Sequence, residues 1–130
     1  MPADKISVMV TSGDREQLQM AAMVASVGAV SDNDVTVFLS MNALKFFIKG
    51  ASSDAPAQGE VGKLLEEKNA PDFKELFEQA VEYGDAKIFP CSMAVDILEI
   101  GEQDLEEYIL EPMGLTAFLS EAAHGQVWHF

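Results

Sequence analysis

Among the 130 residues there is a single cysteine, so no disulfide can form within the chain and the fold must be held by packing alone. Basic side chains are also scarce. Eight Lys and Arg stand against 22 Asp and Glu, a formal net charge of −14, whose field repels phosphate backbones and anionic lipid headgroups. Nucleic acid and membrane surfaces are therefore excluded as expected partners. No apolar run approaches the roughly 18 residues of a membrane span, and the start, Met1-Pro2-Ala3-Asp4-Lys5, lacks the basic-then-apolar order of a signal peptide. The expectation is a cytoplasmic protein without membrane insertion.

Cofactor signals are missing too. No GxGxxG follows the first strand-like run, and no GxSxG marks a hydrolase elbow. Gly59-Glu60-Val61-Gly62-Lys63-Leu64 is like the end of a phosphate-binding loop, but Ala57 stands where the first Gly is needed and Leu64 where a hydroxyl should ligate magnesium. His124 and His129 offer neither the ligand number nor the spacing of a zinc site. Glu99, Glu102, Asp104, Glu106 and Glu107 lack a Gly-centred loop and read as a solvated face. No metal and no cofactor is expected.

What remains is an ordinary globular composition, 48% hydrophobic and 23% charged, of a length that makes one domain over residues 1–130. Short β-branched runs alternate with segments of helical period, the pattern of an α/β fold. Lys5 to Thr11 reads as a strand covered on both faces. Asp14 with Gln17 opens a helix whose core face is Leu18, Ala22, Ala25 and Ala29. Its second face, with Met20, Met23 and Val27, is too apolar for water and must meet either another subunit or another helix of the domain. Asp34 to Ser40 is the clearest strand, running directly into a helix from Met41 to Lys49.

Residues 50–71 shift to Ser, Ala, Gly, Pro and Gln and read as a mobile loop or lid insertion. Asp72 and Glu75 open a helix that Gly84 stops; Ala86 to Pro90 is a strand and Ser92 to Ile100 a helix. Tyr108 to Leu110 reads as a short fourth strand, and a helix near Thr116 to Ala123 precedes a terminal strand, Gln126 to Phe130. The predicted fold class is a three-layer α/β/α domain with a mainly parallel five-stranded sheet, laid out like flavodoxin.

Ligands of such sheets collect where the βα loops converge, here Ser12-Gly13-Asp14, Ser40-Met41-Asn42 and Pro90-Cys91-Ser92. Cys91 falls where a strand ends and a helix begins, where unpaired N–H groups and the helix dipole would favour its thiolate. Position alone leaves open whether it is a nucleophile or a buried small hydrophobe. Met41, Phe46, Phe47 and Met93 line either an apolar pocket beside the thiol or plain core. Lys45, Lys49, Lys63, Lys68 and Lys74 read as solvated helix faces, with a local positive field for an anionic sulfur donor as the alternative.

The segment from Ala86 through Pro90-Cys91-Ser92-Met93 to Ile100-Gly101 resembles the cysteine segment of the DsrE/DsrF-like family, particularly its DsrE-like, peroxiredoxin-type branch. Val35 to Leu44, where a strand passes into Asn42-Ala43-Leu44, and the Ser12-Gly13-Asp14 turn extend the likeness over nearly the whole chain. Val95 departs from it, standing where a second Met is frequent, and residues 50–71 have no counterpart. The resemblance implies a DsrEFH-like homo-oligomer, trimer or hexamer, that carries sulfane sulfur on Cys91 and meets a sulfur-carrier protein. It implies pocket neighbours at Ser12, Asn42 and Met93, to which the βα loops add Gly13, Met41 and Ser92 as candidates. The rival expectation is a non-catalytic oligomeric protein that binds a small ligand and has an incidental or redox-sensing cysteine.

Overall fold

The computed structural model describes residues 4–130. Its four strands are β1 (Lys5–Val10), β2 (Asp34–Leu39), β3 (Lys87–Pro90) and β4 (Gln126–His129). They form one sheet in the order β3-β2-β1-β4, with every pairing parallel. The helices are α1 (Arg15–Val30), α2 (Glu60–Glu67), α3 (Phe73–Gly84), α4 (Ser92–Leu98) and α5 (Leu115–Ala122), with 3₁₀ turns at Met41–Phe47 and Glu102–Asp104.

Side-chain alternation along the strands sorts the layers. Ile6, Val8, Val10, Val35, Val37, Leu39 and Ile88 share one face; all but Ile6 are buried. Helix α1 lies on this face, since a Cβ added at Gly28 would stand 3.2 Å from Val35 and 3.4 Å from Ile6. Helix α3 packs against α1 so closely that a Cβ at Gly84 would fall 2.4 Å from that of Ala29, so only glycine fits. The opposite face is closed by α5, whose Phe118 stacks on Phe38 of β2 at 4.7 Å between ring centroids. The α/β/α sandwich predicted from the sequence is therefore present.

The sheet has four strands rather than five. Tyr108 to Leu110 runs beside β3 but touches it at isolated points, Ile88 with Ile109 and Cys91 with Met113. Pro112 between those points has no N–H to continue a ladder. The segment still covers the outer edge of β3, as Leu110 N–H donates to Ile88 and Met113 N–H to Pro90.

The Met41–Lys49 helix is instead a 3₁₀ helix over Met41–Phe47, after which Ile48 turns extended and bridges Leu105. Its buried residues explain the tighter winding: Ala43 and Phe46, and Leu44 and Phe47, are three apart and stack on one another only at three residues per turn. Helix α3 ends as read, with Asp85 in the left-handed conformation just beyond Gly84. The second face of α1 is only partly covered among the described residues: Ala21 is buried and Val24 packs on the core, but Met20, Met23 and Val27 stay 47%, 43% and 62% exposed.

Residues 50–71 carry α2 and are tied to the start of α1. The Glu16 carboxylate accepts the N–H groups of Gln58 and Gly59 at 2.7 and 2.6 Å. Arg15 bonds Ala55 and pairs with Asp54, and Gln19 donates to the Pro71 carbonyl. Among the described residues no helix is long and apolar enough to cross a membrane.

Candidate functional site

Cys91 closes the C-terminal end of β3 and caps α4. Its side chain follows Pro90 in alternation and so turns to the α5 side of the sheet. There it meets a cavity of 290 Å³ lined by Met9, Thr11, Phe38, Ser40, Met41, Cys91, Ser92, Met93 and Leu115. The three strand ends supply the floor: Met9 and Thr11 from β1, Phe38 and Ser40 from β2, and Cys91 from β3. Met41, Met93 and Leu115 form the rim and are 53%, 60% and 51% exposed, while Cys91 at 6% lies at the bottom.

Backbone bonds fix the thiol's position. Cys91 N–H donates to Leu39 of β2 at 2.8 Å, and Ser92 N–H to Met113 at 3.0 Å. This corrects the sequence expectation of unpaired N–H groups around the sulfur: two of them are committed elsewhere. The Cys91 side chain makes no cap bond, and α4 is only seven residues long. The thiol's surroundings are thus made by side chains.

Those side chains are mostly apolar. Thr11 is engaged, its Oγ1 lying 2.9 Å from Nε2 of His129 on β4 and donating to the Phe130 carbonyl. Ser40 differs. It is 4% exposed, lines the cavity and makes no cap bond to the 3₁₀ helix it precedes. Met41 beside it holds φ of +51°, a left-handed conformation that costs a non-glycine residue about 1–2 kcal/mol.

Of the residues singled out in the sequence, Met41, Ser92 and Met93 share the cavity with Cys91, and Ser12, Gly13 and Asn42 do not line it. Ser12 instead donates to Asp14 at 2.8 Å. Gly13 lets two loops meet, since a Cβ there would be 3.0 Å from Asn42. Phe46 and Phe47 belong to the core around Phe73. None of Lys45, Lys49, Lys63, Lys68 or Lys74 reaches the cavity; Lys45 sits over the Phe46 ring and Lys74 pairs with Glu106. Residues 50–71 contribute no lining residue.

Ser40 was read as part of its βα loop, but Thr11, assigned to the first strand, was not, although it is the first residue beyond β1, the position from which a βα loop most directly faces a ligand. Leu115 had no such signal, because only the docking of α5 brings it there.

The sequence model of the DsrE/DsrF-like family matches residues 4–127. The uncharacterized protein YrkE of Bacillus subtilis (strain 168) is 25% identical over 152 aligned positions, covering 95% of this chain and 94% of its own. Two solved structures share the fold. The YchN protein from E. coli superposes with a TM-score of 0.66 at 15% identity, covering 98% of this chain and 99% of its own. The protein of unknown function MTH1491 from Methanobacterium thermoautotrophicum gives 0.65 at 7% identity, with the same coverage.

Proposed function

The chain belongs to the DsrE/DsrF-like family, and from that membership together with the Cys91 cavity we propose that it is a cytoplasmic sulfur carrier or sulfurtransferase. The observation that carries the reading is that the single thiol opens into an apolar cavity at the junction of three parallel strands. In that cavity the Cys91 thiolate attacks the outer sulfur of a sulfane donor. A bond forms between Sγ and that sulfur, the donor's S–S bond breaks, and its electron pair leaves on the departing thiolate. The bound sulfur then passes by the same exchange to an acceptor thiol on a sulfur-carrier protein. With no second cysteine the chain cannot resolve the persulfide itself, and a peroxidase cycle through a sulfenic acid would depend on an external thiol in the same way.

The test is intact-mass spectrometry after brief exposure to each of three sulfane donors, polysulfide, thiosulfate and an alkyl hydropersulfide, beside Cys91→Ser. The expected result is a gain of one or more sulfur atoms that a thiol reductant removes and that Cys91→Ser lacks. A folded protein of unchanged mass would discard the carrier reading and leave a ligand-binding module with a structural cysteine.

The proposal includes a homo-oligomer, a trimer or hexamer. Its support is the exposed apolar surface of α1, with Met20, Met23, Val27 and Val30, continuing onto Val127 and Trp128 of the open edge strand β4. Sedimentation at micromolar concentration should show a species heavier than 14.1 kDa; a clean monomer would reject this part of the reading.

A further inference from the structure

We infer that the Cys91 cavity selects an alkyl hydropersulfide in its neutral, protonated R–S–SH form as sulfur donor and rejects thiosulfate, an inference that rests on the sulfur-carrier reading above. Among the described residues no Lys or Arg lines the cavity. Its walls are the side chains of Met9, Phe38, Met41, Met93 and Leu115, and its polar groups are three hydroxyls and the thiol. A dianion entering such a space loses its hydration and gains no counter-charge, while the chain's net charge of −14 already opposes its approach. A neutral alkyl chain with a terminal S–SH loses little on desolvation and gains contact with polarizable Met sulfurs and an aromatic ring.

A second observation points to an occupant. Ser40 lines the cavity at 4% exposure and makes no cap bond to the 3₁₀ helix that follows it, which leaves its hydroxyl available to a molecule in the cavity. A single neutral donor suits a group that acquires partial charge only as it reacts. In the transfer, Cys91–SH and R–S–SH become Cys91–S–SH and R–SH. The Sγ–S bond forms as the donor's S–S bond breaks, and the departing R–S⁻ takes the proton that the Cys91 thiol released. Neither side is oxidised or reduced overall, because the sulfane sulfur moves intact. The Ser40 O–H donates to the departing sulfur, the only place where negative charge develops away from Cys91.

The experiment loads the full chain with an alkyl hydropersulfide, or with thiosulfate at equal concentration, and follows the gain of sulfur by intact mass over time. Loading by the hydropersulfide at least about tenfold faster is the expected result, and Ser40→Ala should slow it about five- to tenfold, the effect of one hydrogen bond. Ser40→Ala removes one hydroxyl and no cap bond, and far-ultraviolet circular dichroism should show it folded. A rim cation, Met93→Lys, should raise the thiosulfate rate selectively. Equal rates for both donors, or faster loading by thiosulfate, would overturn the inference while leaving the carrier reading intact. Failure of both donors on folded protein would overturn both.

Discussion

Replacing Phe118 by Ala should destabilise the protein by about 3–5 kcal/mol and expose the thiol at Cys91. Phe118 is fully buried and is the side chain through which α5 stacks on β2, at 4.7 Å and 20° from coplanar with Phe38. The transfer and cavity contributions of a deleted core phenyl group set that magnitude, and the ring pair itself accounts for about 0.5–1.5 kcal/mol of it. A double-mutant cycle with Phe38→Leu and Phe118→Leu isolates the pair. Leu115, one turn earlier on α5, forms part of the cavity rim, so loosening α5 lowers the wall beside Cys91. Urea unfolding followed by the fluorescence of Trp128 gives the stability, and the alkylation rate of Cys91 under native conditions gives the exposure. A loss below about 1 kcal/mol, less than any Phe→Ala in a closed core, with an unchanged alkylation rate would refute the assignment of α5 as the layer that closes the site.

Three other outcomes can be checked. The N–H of Gln58, opposed by desolvation and joined by the N–H of Gly59, holds the Glu16 carboxyl below its usual range. With the folded value depressed, the stabilisation is present above the unfolded value and is lost as pH falls through the folded one. Wild type should therefore exceed Glu16→Gln in stability at neutral pH and converge with it in acid; a gap that persists under acid conditions would contradict the loop-pinning role. Burial, then the nearby charges of Glu106, Glu78 and Asp72, pushes the Tyr108 hydroxyl well above the ordinary tyrosine range. Its phenolate absorbance should appear only with alkaline unfolding, and the stability that this shift represents is full below the unfolded value and disappears as pH rises beyond it. Gly84→Ala should cost about 1–3 kcal/mol by forcing α3 away from Ala29, measured as a lower urea midpoint with an unchanged slope.

Much of this architecture was legible in the sequence because it rests on local periodicity. Leu18, Ala22, Ala25 and Ala29 mark the core face of α1 at helical spacing and are buried, and the Asp14 cap accepts the Gln17 N–H that the spacing implied. The misreadings fall where long-range contacts override local preference. Tyr108 to Leu110 has strand-like residues, yet Pro112 stops the ladder. Met41 to Phe47 has helical spacing, but its aromatic side chains reach the core only by tighter winding. At the site, Met41, Ser92 and Met93 were legible because they adjoin strand ends. Ser40 was named with its loop, but that it shares one cavity with Cys91 and Thr11 depends on how three strand ends converge, which no sequence displays.

The adjacency of β1 and β4 bears on the order of assembly during synthesis. Thr11, a wall of the cavity, donates its N–H to the carbonyl of Phe130, and their side-chain contact closes a span of 119 residues. Local helices can form while the chain is still being made. The sheet must wait with one flank of its central strand β1 unpaired until residues 126–130 have emerged from the ribosome. A nascent chain stalled before that point carries Cys91 on an unfinished scaffold, so competence at the thiol arrives well after the cysteine itself has been made.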